Sequence, residues 1–281
     1  MAYPVVSAPY GFKPVNLLGG QVFAGSTRQY PVVYNNTTAL NYGDLVQLSS
    51  GGIVISTLTY NSTAYVAGTV GVFLGCSYTS PITGQKVFAN SLPANTLAND
   101  IVAYVEDDPD AVFKAVVVAY STTTSTTPLP VSQTYVGTNA YVNSTNTPTT
   151  AGIYPAIGQS AMALQVSSTN TRVPTTAPFR IVGLVSDTAV TVALTGTTSS
   201  ATLTVTSGNA ASLSVGMQVF GTGIYQGSYN YITAISGTSV TLANNVTTNQ
   251  STSASFTAIG SPEVLVKWNF GYHSYYAAVG V

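Results

Sequence analysis

The stretch L-N-Y-G-D-L-V-Q-L-S-S-G-G-I-V-I, residues 40–55, holds two short runs of strand formers on either side of the turn Ser49–Gly51. Val, Leu and Ile recur inside each run. Gly and Ser supply the backbone freedom that a tight reversal needs. The next apolar run, T-V-G-V-F-L-G-C-S-Y at 69–78, has the same texture. Short apolar runs bounded by Gly, Asn, Ser and Pro read as strands, whereas a helix needs a longer window with a 3.6-residue period and caps.

Outward from this stretch the pattern repeats. The spacing predicts strands at Tyr30–Tyr34, Asp44–Leu48, Gly52–Leu58, Thr69–Tyr78, Lys86–Ala89, Asp100–Val105 and Ala111–Val118, with turns at Pro81–Gly84 and Asp107–Asp110. Further strands are predicted at Tyr135–Val142, Ala161–Val166 and Phe179–Val185. Ala201–Val205 reads A-T-L-T-V, a strict period of two. Gln218–Phe220, Tyr231–Ser236 and Ser239–Leu242 follow, the last two flanking the hairpin signal Gly237–Thr238. No window combines helical period with caps. The predicted class is all-β, built from barrels or sandwiches.

Four segments emerge. Residues 1–20 carry Pro4, Pro9 and Pro14 and read as an extended N-terminal arm, either packed on its own domain or reaching a neighbouring subunit. Residues 21–120 form a first β domain. The Ser/Thr/Pro-rich run at 121–134 marks a junction. No charged residue lies between Asp187 and Glu263, and charge returns with the strand E-V-L-V-K-W at Glu263–Trp268. Residues 188–262 therefore read as an insertion, with 121–187 and 263–281 making a discontinuous second domain, since nineteen terminal residues cannot build a core alone.

Composition narrows the function. Seven Lys/Arg and eight Asp/Glu leave a net charge of −1, and only 5 % of residues are charged. An ordinary domain carries about 25 %. Hydrophobic residues still make up 45 %, so this is not the composition of a disordered chain. Seven scattered basic residues argue against nucleic acid as a partner. No apolar run is long enough for a spanning helix, so no membrane partner is expected. The first residues lack a basic region and an apolar core, so no signal peptide is expected. One Cys and one His exclude disulfides within the chain and the usual zinc ligand sets, and no cofactor is expected. A surface so poor in charge invites association.

Few residues are candidates for chemistry. Glu106, Asp107, Asp108 and Asp110 sit around Pro109 and read as a solvated hairpin tip or as a contact for a basic patch on a partner. They lack the spacing of a calcium loop and the facing geometry of glycosidase carboxylates. His273, the only imidazole, has no nucleophile motif beside it, and it reads as a packing or interface residue. Cys76 lies in an apolar strand and reads as a small buried hydrophobe. Tyr272, Tyr275 and Tyr276 are a candidate contact surface, as Tyr is enriched at interfaces. No enzyme is expected.

The motif at 40–55 followed by 69–78, of the form G-D-x-V-x-L…G-x-V…x-V-G-V, resembles head decoration proteins of tailed bacteriophages. P-Y-G-F-K-P-V-N-L-L-G-G-Q-V-F-A-G-S-T-R-Q-Y-P at 9–31 and P-F-R-I-V-G-L-V at 178–185 resemble virion structural proteins of aquatic phages. S-V-G-M-Q-V-F-G-T-G-I-Y-Q-G at 214–227 and Y-I-T-A-I-S-G-T-S-V-T-L-A at 231–243 look like an Ig-like module of phage tail and capsid proteins, with Tyr225 where that pattern has Pro. The resemblance implies small β-barrel or β-tulip-like domains plus an inserted Ig-like β-sandwich. It implies a cement protein on the outer capsid surface of the virion, bound to the major capsid protein as a homotrimer at three-fold positions. Tyr3, Pro4, Pro9, Tyr10, Phe12 and Lys13 of the arm would then be the capsid or neighbour contacts, and the module at 188–262 would carry any weak glycan binding. The alternative is a tail or surface adhesin that binds host glycans through its β-sandwich modules.

Overall fold

The computed structural model describes residues 9–17, 23–56, 68–119, 131, 133–143, 158–166, 177–185, 192–196, 199–207, 213, 217–221, 230, 232–246, 255–259 and 262–276. It is an all-β protein: the described elements are strands and two 3-10 turns. Contacts divide the chain into two units, one built on residues 185–263 and the other on 8–125, 132–184 and 264–281.

The larger unit holds two curled sheets. The first has the order β2 (Arg28–Pro31), β9 (Val102–Glu106), β6 (Thr69–Thr79), β4 (Leu45–Ser49) and β5 (Gly52–Ile55). Val32 bridges Ile53 in parallel, so the chain leaving β2 meets β5 and the sheet curls back on itself. β7 (Lys86–Ala89) pairs with the far half of β6, and β3 (Leu40–Asn41) pairs with β8 (Ser91–Leu92). Strand β6 is buried along most of its length because it takes β4, β9 and β7 in turn. That explains why T-V-G-V-F-L-G-C reads as a continuous apolar run rather than an alternating one. Val46, Ile53, Val70, Phe73, Ala103 and Val105 form the core between these strands.

The second sheet closes completely. β10 (Ala111–Ala119), β12 (Ala163–Val166), β11 (Asn139–Asn143), β13 (Phe179–Leu184) and β20 (Glu263–Trp268) form a five-stranded barrel, closed by β20 against β10. β10 and β12 run parallel. Strand β1 (Lys13–Leu17) pairs with Ala111–Lys114 of β10. The core is aromatic: Phe12 stacks on Phe179 at 4.7 Å, Phe179 lies 4.2 Å from Trp268, and Phe113 meets Trp268 edge-on at 6.2 Å. Such pairs add to the area they bury.

These contacts place 9–17 on its own unit, the first of the two readings of the arm. Proline disfavours a central strand, and β1 lies at the edge of its sheet. A register shift between Pro14 and Asn16 lets β1 form around the missing N–H. Pro9, Tyr10 and Phe12 are buried inside their own unit. Tyr3 and Pro4 lie outside the described residues.

In the smaller unit six antiparallel strands run in the order β16 (Gln218–Gly221), β19 (Ser255–Ile259), β14 (Val192–Gly196), β15 (Thr202–Ser207), β18 (Ser239–Leu242) and β17 (Ile232–Ser236). The Ile232 N–H donates to Met217 O at 2.8 Å and the Val219 N–H to Asn230 O at 2.9 Å, joining the two outer members. Among the described residues these strands form one continuous sheet whose outer members meet. Alternation of Thr with apolar residues marks one buried face per strand, and that requirement is met equally by a ring and by a sandwich. Leu203, Met217, Val219, Ile232, Val240 and Leu242 fill its core.

Gly11 and Gly43 bring the two barrels of the larger unit together. Both have positive φ, +78° and +93°. A Cβ on Gly11 would lie 2.5 Å from Ser160 Cβ, and one on Gly43 would lie 2.7 Å from Tyr10 O. Gly25 has the same φ of +78°, but a Cβ there would meet nothing within 4 Å. Gly43→Ala and Gly11→Ala are each expected to cost at least about 2 kcal/mol in urea unfolding, against about 1 kcal/mol for Gly25→Ala. Equal losses at all three would mean that the close approach does not matter.

Candidate functional site

The sequence marks two places for attention, the acidic turn and the C-terminal aromatics. The structure brings them together. The end of β9 leads into the turn 107–110, where the Ala111 N–H donates to Asp108 O at 3.1 Å and the Asp110 N–H to Asp108 Oδ1 at 2.8 Å. After β20 the chain turns through Asn269–Tyr272 into the 3-10 turn Ser274–Tyr276. Asn269 anchors that turn to the second barrel: its Nδ2 donates to Asn139 Oδ1, Ala177 O and Phe179 O at 3.1, 2.7 and 3.1 Å. The Gly68 N–H then reaches Tyr272 O at 3.4 Å, and His273 bridges Thr69 of β6.

Asp107 is the meeting point. Its Oδ2 lies 3.1 Å from Arg28 Nε and accepts Tyr30 Oη at 2.8 Å and Tyr275 Oη at 2.6 Å. Arg28 Nη1 donates to Tyr275 Oη at 2.7 Å, and its guanidinium lies 5.6 Å from the Tyr275 ring centroid. Asp107 foremost, with Tyr275 and Tyr30, raises the basicity of Arg28. Burial followed by hydrogen bonding raises the Tyr30 phenol, and the same causes raise Tyr275. Charge-assisted bonds of this kind are among the stronger ones.

The four acids were expected together at a solvated tip or partner contact. Only Asp110 is exposed. Asp107 is occupied by Arg28 of its own chain. Glu106 is buried, because β6 packs its backbone against the end of β9: a Cβ at Gly71 would overlap the Glu106 carbonyl oxygen. Glu106 Oε1 accepts the Asp108 N–H at 3.3 Å, while Oε2 is buried without a hydrogen-bond partner. Burial above all pushes its carboxyl up to about 7.

His273 is fully buried, 5.5 Å from the Trp268 ring and 5.0 Å from the Tyr275 ring, and its Nδ1 accepts the Tyr275 N–H at 3.2 Å. Burial lowers its basicity. Of the candidate contact tyrosines, Tyr275 is exposed and Tyr272 half-buried, while the side chain of Tyr276 lies outside the described residues. Lys13 is half-buried, with Nζ 4.1 Å over the Tyr10 ring. Cys76 is buried, its thiol pushed up to about 11, which suits a packing role rather than a nucleophile.

Sequence reasoning missed Asp44 as a special residue, although it sits in the G-D motif. It is buried at the junction of the two barrels, where Oδ2 accepts the Asn41 N–H at 2.7 Å. Burial, opposed by the Ser160 hydroxyl and the Asn41 N–H, pushes its carboxyl up to about 6. A buried ionisable residue between two strands was the available signal. Among the described residues no group of three His, Cys, Asp or Glu could hold a metal ion. No family model, curated protein or solved structure matches the chain.

The carboxyl of Asp44 gives a pH prediction. Its acidity is weaker folded than unfolded, so its contribution to stability falls as pH rises from about 4 to about 6 and is level above that. Asp44→Asn keeps an oxygen for the Asn41 N–H and removes the buried charge. It is expected to raise stability by about 2 kcal/mol at pH 7.5 and by little at pH 4, read by urea unfolding. A loss at both pH values would show that the ionised form is needed.

Proposed function

We propose that this protein is a structural virion component that decorates and cements the major capsid shell of a tailed phage, as trimers at three-fold positions. The observation that carries this reading is the display of large apolar side chains on rigid, hydrogen-bonded supports. Ile82 is 93 % exposed, Phe88 73 % and Phe270 85 %. Ile82 crowns the turn between β6 and β7, which is closed by the Ser80 N–H to Gln85 O and Gly84 N–H to Ser80 O bonds, both 2.8 Å. Asp100 braces its base: it accepts Thr79 N at 2.9 Å and Thr79 Oγ1 at 2.7 Å and pairs with Lys86 Nζ at 3.0 Å. Those bonds hold its carboxyl well below the usual carboxylate range.

Exposed apolar anchors on a preorganised support lose little entropy on docking and suit a surface that is covered in use. The very low charge of the chain points the same way, as does the resemblance of 40–55 and 69–78 to head decoration proteins. Engagement of several shell subunits by one closed oligomer would multiply weak contacts into firm attachment. Tyr10 and Phe12 support the fold, so the contact is assigned to the β6–β7 turn rather than to the segment at 9–17.

Co-sedimentation with expanded capsids tests this reading. The wild type is expected to bind saturably, and Ile82→Asp with Phe88→Asp to weaken binding by at least about tenfold with unchanged unfolding. A protein that never sediments with capsids overturns the proposal.

A further inference from the structure

The end of β9 sets two consecutive carboxylates in opposite environments. Asp107 is paired with Arg28 and ties the C-terminal segment through Tyr275, while the next carboxylate back along the strand, Glu106, is buried with Oε2 unpartnered. We propose that these residues form a proton-operated latch: uncharged Glu106 keeps the segment 269–276 closed on the first barrel, and ionised Glu106 loosens it.

The geometry leaves a charged Glu106 no easy relief. Gly71 lets β6 lie so close to the end of β9 that a Cβ there would overlap the Glu106 carbonyl oxygen, which leaves little room beside Glu106 on that side. The turn presents Asp107, Asp108 and Asp110, which repel a new negative charge. β2 presents Arg28 and Tyr30, and Arg28 is engaged by Asp107 and Tyr275. The C-terminal segment brings Tyr272, His273 and Tyr275. The facing stretch of β6, Thr69–Phe73, has no titratable group. Lys13 of β1 and Lys114 of β10 lie over Tyr10, at 4.1 and 5.9 Å from its ring centroid. Arg28, the cation on β2, is thus already engaged by Asp107 and Tyr275. The strain falls on the turn that carries Asp107, hence on its bond to Tyr275.

Burial pushes Glu106 up to about 7, so the native protein keeps this proton below neutrality and loses it as pH rises through that value. His273, lowered by burial, changes charge at more acid pH, so the two groups separate on the pH axis.

Hydrogen exchange of the full chain between about pH 5.5 and 8.5, corrected for the intrinsic pH dependence of exchange, tests the latch. Protection of the 269–276 amides is expected to drop by at least about tenfold with a midpoint near 7. The fluorescence of Trp268, the sole Trp, should change in parallel, since His273 links it to Tyr275. Glu106→Gln should stay protected throughout, and Tyr275→Phe should be open throughout. A flat wild-type profile, a midpoint below about 6, or a transition that persists in Glu106→Gln overturns the proposal. The wild-type midpoint decides by itself if the Gln variant does not fold.

Discussion

The structure depends on the contact between two backbones at Gly43. Its N–H donates to Phe73 O of the first barrel, and its carbonyl accepts the Phe12 N–H, both at 2.9 Å. Phe12 is the ring that stacks on Phe179 in the second barrel. One residue therefore hydrogen-bonds to the central strand of one barrel and to the aromatic plug of the other. The neighbouring bonds, Tyr42 N–H to Gly158 O at 3.0 Å and Ser160 N–H to Tyr42 O at 2.9 Å, widen the seam. Such an approach is open only to glycine, because any Cβ would occupy the space of the opposing chain.

The buried carboxylate of Asp44 follows from the same seam. It turns inward to satisfy the Asn41 N–H in a place where water is excluded. The unit thus accepts a charge in poor surroundings in return for a closed turn. Glu106 repeats the arrangement at the end of β9, and there a C-terminal segment is tied down by Asp107 instead. The two barrels are consequently joined at the Gly43 seam and again where the C-terminal segment meets β6 and Asp107.

The strands containing uninterrupted Val, Ile and Phe were legible in sequence, and Lys86–Ala89 and Ser239–Leu242 coincide with the expected spans. The strands at Lys13–Leu17, Val192–Gly196 and Ser255–Ile259 were not legible there. The first was hidden by Pro14, whose missing N–H is absorbed by a bulge that depends on β10. The others are short Thr- or Ser-bearing stretches in which the local pattern is weak. The acidic turn and the C-terminal tyrosines were each legible as features, but their union at Asp107 spans 168 positions and has no local signature.

By itself the sequence determined the all-β class, the uncharged character of 188–262 and the poverty of catalytic groups, because period, turn residues and composition act locally. Only the tertiary structure decided that the sheets curl into barrels, that Phe12 is core, and that Glu106 is buried while its neighbour Asp107 is paired. Those outcomes depend on which distant strand supplies the missing edge, ring or donor. That choice is made by packing, not by any residue's own preference.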